Sequence, residues 1–323
     1  MRLKFQYQSS VLLAFGLALS ACMVNSPTQQ AAVSGAGALD VVAIGDMPYR
    51  PQDIEPFEAL LETINNRPPD VTIHFGDIKG GGTPCTDDAF WSQRDYFNGV
   101  TGALVFTPGD NEWTDCHRSH AGGYDPRERL AFLREVFYVG DRSLGQQPRV
   151  LEQQSALDPA YMAYVENARW LQTGVRFVTA HVVGSNNGLN RDDPEAVVEY
   201  EARNAASISW IRESFALARA EGAYAVVLAI HADPFQLYGI GGGFRETLSA
   251  IADGAGVFDG PVLVIHGDGH EYTLDTPFYA ADGDLMENVI RLEVPGAADI
   301  QAVRIRIDPD AAQVFAFEVF GPS

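Results

Sequence analysis

Residues 39–46 read LDVVAIGD, and residues 71–77 read VTIHFGD. Each is a short apolar run closed by Gly-Asp. Such a run, bounded by a turn signal, marks a strand buried on both faces. The pattern recurs at Ala103 to Thr107 before Gly109-Asp110, at Ala223 to Ile230 before His231, and at Pro261 to Ile265 before His266. Helical spacing fills Ile54 to Ile64, between the first two runs. Strands alternating with helices predict a layered α/β fold. In open α/β sheets the carboxyl ends of the strands line the ligand crevice. That rule gathers Asp46, Asp77, Asp110, His231 and the Asp268/His270 pair along one edge.

Carboxylates crowded in this way repel one another and raise each other's pKa. Divalent cations relieve the crowding, and a mixed Asp/His donor set suits Mn²⁺, Zn²⁺ or Fe.

Asp125-Pro126 caps a predicted helix through about Phe137, with Pro at the first helical position. Asp141 to Pro159 is polar and irregular. Met162 to Val165 and Val175 to Val183 read as strands. Asp193-Pro194 caps a long helix with Ile208, Ile211 and Phe215 on its apolar face, and Gly222 stops it. Val289 to Val294, Ala302 to Ile307 and Gln313 to Val319 make a β tail.

The chain has 323 residues, 46% hydrophobic and 11% aromatic, enough for a large core and incompatible with wholesale disorder. It carries 43 acidic against 22 basic residues, a formal charge of −21. A surface that acidic repels phosphate backbones, so duplex nucleic acid is not an expected partner.

Arg2 and Lys4 precede the apolar stretch Val11 to Leu19, which is too short to span a membrane comfortably and reads as an export signal. It ends in Leu19-Ser20-Ala21-Cys22, which resembles the bacterial lipobox and implies lipidation of Cys22. Residues 1–21 are then a lipoprotein signal peptide, 22–38 a flexible tether, and 39–323 one domain. The expected location is the bacterial cell envelope, anchored by lipid at the periplasmic face or outer membrane. Export leaves Cys85 and Cys116, which invite a disulfide; two free thiols are the alternative.

In order, the strand-end motifs resemble the calcineurin-like metallophosphoesterases, the superfamily that includes purple acid phosphatases. That family shows D-x-H, G-D, G-N-H-D/E, a lone His after a strand, and G-H-x-H. The matching stretches are Gly45-Asp46-Met47-Pro48, Gly76-Asp77, Gly109-Asp110-Asn111-Glu112, Ile230-His231 and Gly267-Asp268-Gly269-His270. The resemblance covers about residues 40 to 275. It implies an α/β/β/α sandwich and two divalent metal ions (Mn, Fe, Zn, Mg or Ca). By position, one metal takes Asp46, bridging Asp77 and His270; the other takes Asp77, Asp110, His231 and Asp268. Pro48 replaces a ligand His of the first site, and water or Tyr49 is the replacement to expect. Asp110 and Asp268 replace Asn and His in the second site, shifting preference from Zn²⁺ toward Mn²⁺, Mg²⁺ or Ca²⁺.

The implied activity is hydrolysis of small phosphate esters outside the cytoplasm, by a hydroxide bridging the metals. Asn111 stands where the family has a His that meets substrate; it can orient phosphate but cannot donate a catalytic proton. His117 is the nearest substitute acid. Arg118, Lys79 (the single lysine after the leader) and His181 are candidate substrate contacts. His74 and Trp113 read as core. Two other readings stay open: a lipid-anchored binding protein that kept the fold without turnover, and a Ca²⁺-stabilised surface protein.

Overall fold

The computed structural model describes residues 37–235 and 242–323. The expected signal peptide, Cys22 and the tether up to residue 36 lie outside the described residues. Among the described residues, twelve strands build two sheets. The five-stranded sheet holds β1 (Leu39–Ile44), β2 (Val71–His74), β3 (Leu104–Phe106), β11 (Ala302–Ile307) and β12 (Phe315–Phe320), in the order β12-β11-β1-β2-β3. The seven-stranded sheet holds β4 (Glu152–Gln153), β5 (Ala168–Gln172), β6 (Val175–Thr179), β7 (Ala225–Ala229), β8 (Val262–His266), β9 (Thr273–Asp275) and β10 (Val289–Glu293), in the order β4-β5-β6-β7-β8-β10-β9. The centre of each sheet is parallel: β1 with β2 and β3, and β6 with β7, β8 and β10.

Alternation along the strands shows why there are four layers. Leu39, Val41 and Ala43 of β1 and Ala225, Val227 and Ala229 of β7 share one core, pressed between the sheets. The intervening Val42 and Ile44 face α1 (Ile54–Asn66), α2 (Asp87–Asn98) and α3 (Pro126–Phe137). Val226 and Leu228 face α6 (Pro194–Ala220) and α7 (Arg245–Gly256). Because successive side chains point to opposite faces, each central strand needs two apolar faces. The expected α/β/β/α sandwich is what forms.

The predicted strand at Met162 to Val165 is not formed. Asp158 caps a turn by accepting from the Ala160 amide at 2.8 Å, Pro159 opens a 3-10 turn, and the strand begins at Ala168. β5 pairs with β6 through the Thr173-Gly174 turn. Its Arg169, stacked over Trp210 at 4.1 Å, interrupts the apolar run that would have announced it. Two single-turn segments, α4 (Gln154–Leu157) and α5 (Gly184–Asn187), lie between these elements.

Candidate metal centre

The strands deliver the site. Asp46 follows β1, Asp77 follows β2, Asp110 follows β3, His231 follows β7, and Asp268 and His270 follow β8. Asp46, Asp77, Asp268 and His270 all adopt φ between 52° and 72°, where the chain turns back sharply. Gly76, at φ 82°, lets the β2 loop touch its neighbours: a Cβ there would lie 2.6 Å from Gly109 Cα and 2.8 Å from His231 Nδ1.

Two triads result. The ligand atoms of Asp46, Asp77 and His270 lie within 4.8 Å of one another, as do those of Asp77, Asp110 and His231. Asp77 belongs to both. His231 Nε2 stands 3.4 Å from Asp77 Oδ1, 3.1 Å from Asp110 Oδ1 and 3.9 Å from Asp268 Oδ1. Its Nδ1 bonds to the Phe75 carbonyl. That bond places a proton on Nδ1 and turns Nε2 toward the carboxylates, an arrangement typical of metal-binding histidines. The first triad has Tyr49 beside it: the hydroxyl is 2.8 Å from Asp77 Oδ2, 3.2 Å from Asp46 Oδ1 and 3.1 Å from His270 Nε2.

Backbone amides hold the acids. Asp268 N donates to Asp46 at 3.1 Å, and Asn111 N donates to Asp77 Oδ1 at 3.0 Å. The Asn111 side-chain amide also donates to Asp77 Oδ2. Glu112 is fully buried and accepts from the amides of Gly109 at 2.5 Å and Asp77 at 3.2 Å, tying two ligand loops together. Ser185 Oγ lies 2.7 Å from Asp110 Oδ2 and 3.1 Å from Asp115 Oδ1, and Asp115 pairs with Arg118 at 2.6 Å. Ser185 and Asp115 escaped the sequence reading, although Ser185 follows a glycine and Asp115 precedes Cys116.

Packed this closely, several of the acids hold their protons more tightly. Burial lifts Asp77 well above the carboxylate range, against the pull of His231, and Asp110, Glu112 and Asp46 add to the rise. Burial and Asp110 push Asp268 up to about 7, and the same two causes push Asp115 to about 7. Burial alone would lower His231, but Asp77, Asp110 and Asp268 raise it well above its ordinary value. Divalent cations would relieve this repulsion. The donor set fits them: four carboxylates and two imidazoles converge, with Asp77 presenting one oxygen to each triad.

The other candidates divide. Cys85 and Cys116 form a disulfide, linking the loop after β2 to the loop after β3. Arg118, 40% exposed, stands at the outer edge beside Ser185, at 3.5 Å. Lys79 is buried, with Nζ 3.4 Å from the Gly80 carbonyl; burial lowers its pKa, while Glu112 and Asp77 oppose the drop. His117 is exposed and its Nδ1 meets the Thr114 carbonyl at 2.7 Å. It lines a cleft of about 170 Å³ with Trp113, Ser185 and Glu199, outside the ligand cluster. His181 corrects the sequence reading. It has no exposed surface and pairs with buried Glu166 at 2.6 Å, the place of a residue that braces the core rather than one open to substrate. His74 and Trp113 are buried, as expected of core residues.

A metal-ready crevice at the carboxyl ends of two sheets defines a class, the α/β/β/α sandwich proteins with a paired Asp/His centre. Comparison with solved structures finds the same fold elsewhere. A dimetal phosphatase from Danio rerio superposes with TM-score 0.54 at 10% identity, over 88% of this chain and 99% of that one. The anchor protein of the Plasmodium inner membrane complex superposes with TM-score 0.50 at 9% identity, over 89% of this chain and 90% of that one. No family profile matches the sequence, and no curated protein matches it. These likenesses show the fold, an arrangement of two sheets and flanking helices shared with a dimetal phosphatase.

Proposed function

We propose that this protein is a metal-dependent phosphoesterase acting on small phosphorylated substrates. One observation carries the reading: two triads of ligand atoms share Asp77, each within the reach of a single cation. Bound divalent cations would supply an activated water as nucleophile and neutralise charge on the phosphoryl oxygens.

The chain's own residues then have defined tasks. Asp77 presents Oδ1 to His231 and Oδ2 to the Tyr49 hydroxyl, which in turn meets His270. His231 is held in one tautomer by the Phe75 carbonyl. Asn111 anchors Asp77 through its amide and has no proton to give at neutral pH. Arg118 keeps one face open beside Ser185 and can grip an anionic oxygen.

The experiment is metal analysis together with turnover of an aryl phosphate. Asp77→Asn should lose metal and activity together, at a cost of several kcal/mol in barrier, where about 1.4 kcal/mol is tenfold in rate. Asn111→Ala should keep its metal and lose about 1–3 kcal/mol of phosphate positioning. Wild-type metal content in Asp77→Asn would refute the reading. Stoichiometric metal without turnover would instead favour the binding-protein reading, which Pro48 and Asn111 motivate.

We also propose a lipid-anchored location in a bacterial envelope. Leu19 to Cys22 motivates it, and a disulfide suits an oxidising compartment. Fatty-acid labelling that persists in Cys22→Ser would sink it.

A further inference from the structure

A cleft adjoins the metal centre. Its volume is about 170 Å³, and it shares Ser185 and Asp115 with the centre. Ser185 Oγ bonds to Asp110 at 2.7 Å and stands 3.5 Å from Arg118. A phosphoryl group held between the ligand cluster and Arg118 would have the cleft beside it. Four segments wall the cleft: the loop after β3, the start of α3, the loop after β6 and the first turns of α6. Arg127 of α3 lines it and reaches Glu195 of α6 at 2.6 Å, which ties the two flanking helices together. We infer that this cleft seats the alcohol half of the ester, and that the alcohol is a small uncharged polyol. The inference rests on the phosphoesterase reading and narrows it to polyol monophosphates.

The walls set the chemistry. Asp115, Asp193 and Glu199 supply acceptors. They already take bonds from Arg118, the Glu195 amide and Arg203, but a carboxylate oxygen accepts more than one. Arg127 and Asn190 supply donors. Asn190 spends its oxygen on the Asp192 amide at 3.1 Å, which leaves its NH₂ to give. Trp113 lines the cleft at 2% exposure, and its indole N–H has no partner among the described residues. Buried donors are rarely left without an acceptor. An ammonium group only donates, and an ionised phosphate oxygen only accepts. A hydroxyl does both and carries no charge. Three carboxylates against one guanidinium also repel a second phosphate.

Size agrees with this class. At about 30 Å³ per water, the cleft has the bulk of roughly five or six waters, on the scale of a triose or a hexose. It falls short of the ~300–1,000 Å³ of sites for drug-sized ligands.

The test uses the full chain loaded with Mn²⁺. The ratio kcat/KM is measured for glycerol phosphate, glucose phosphate, methyl phosphate, phosphocholine and fructose bisphosphate. Glycerol or glucose phosphate should lead each of the others by at least ~10-fold, the worth of one or two hydrogen bonds. Ala196 lines the cleft from α6, so Ala196→Trp should fill it and erase the lead over methyl phosphate. Val198→Trp, on the same helix at a position 67% exposed and outside the cleft, should keep that lead. Calorimetry with the phosphonate analogue of glucose phosphate gives a readout without turnover. Its affinity should match the wild type in Val198→Trp and fall by about tenfold in Ala196→Trp. The same lead and the same phosphonate affinity in wild type and Ala196→Trp would overturn the inference and leave the phosphoesterase reading standing. So would a preference for phosphocholine or for fructose bisphosphate. Loaded protein that hydrolyses none of these esters would overturn the phosphoesterase reading and the inference with it.

Discussion

Replacing Asp268 by Asn should strengthen the metal-free protein while weakening the metal centre. Asp268 is held at about 7, against an ordinary value of 3.8, by burial and by Asp110. At about 1.4 kcal/mol per pH unit, that displacement costs the fold about 4 kcal/mol. The side chain keeps 24% of its surface in water, so about 2–4 kcal/mol is the working figure. The sign follows from linkage. Between pH 3.8 and about 7 the native state holds a proton that the unfolded chain has released, so stability falls as pH rises through this window. Asn has the same shape and nothing to titrate. Urea denaturation of chelator-treated protein, read by circular dichroism, should find the two proteins alike near pH 4. The variant should lead by the full amount at pH 8. Mn²⁺ at about 1,000 times its Kd should close the gap, because it adds about 4.1 kcal/mol to the protein that binds it. Parallel pH profiles of the two metal-free proteins would refute the reasoning, as would Mn²⁺ stabilising both equally.

Acid should open the fold through two buried groups. His74 is kept neutral by burial, its pKa lowered to about 3. Its stability contribution is therefore intact above 6.5 and lost as pH falls from there toward 3. Glu166 is held at about 2 because Arg134 and His181 outweigh its burial, and its contribution disappears as pH falls from 4.5 to 2. His74→Phe should flatten the upper part of a pH–melting curve, and an unchanged curve would exclude His74. Thiol titration under denaturing, non-reducing conditions should find neither Cys85 nor Cys116. Reduction of a bridge spanning 31 residues should cost about 3–4 kcal/mol in denaturant titration, and two free thiols in fresh protein would contradict the bridge.

The sequence carries the strands that end at the centre because they are buried on both faces. Leu39 to Ile44 and Ala302 to Ile307 match to the residue, and Pro126–Phe137 and Pro194–Ala220 begin where Asp-Pro announces them. Elements with polar insertions were harder to see. Arg169 breaks β5 by stacking on Trp210. In α2, Gln93 sits buried between Phe90 and Phe97 and blurs the apolar stripe. At the site, ligand identity follows from strand ends and motif order, whereas partner geometry does not. His181 follows a strand just as His231 does, and only the fold turns one toward Glu166 and the other toward Asp110. Ser185 enters through a left-handed turn, with φ of 52° at Ser185 and 59° at Asn186, which local sequence does not disclose.

The pairing of β1 with β11 sets a schedule for making this molecule. Arg304 bonds to Asp40 across 264 residues, and the register joins Asp40 to Arg306. A ribosome delivers β1 long before its antiparallel partner, 264 residues separating Asp40 from Arg304. Until β11 arrives, one edge of β1 stays open, an invitation to mispairing with another chain. The strand that leads into Asp46 is thus made well before it is enclosed. Nascent chains stalled before residue 302 should consequently be protease-sensitive and prone to aggregation, with maturation gated by synthesis of the tail.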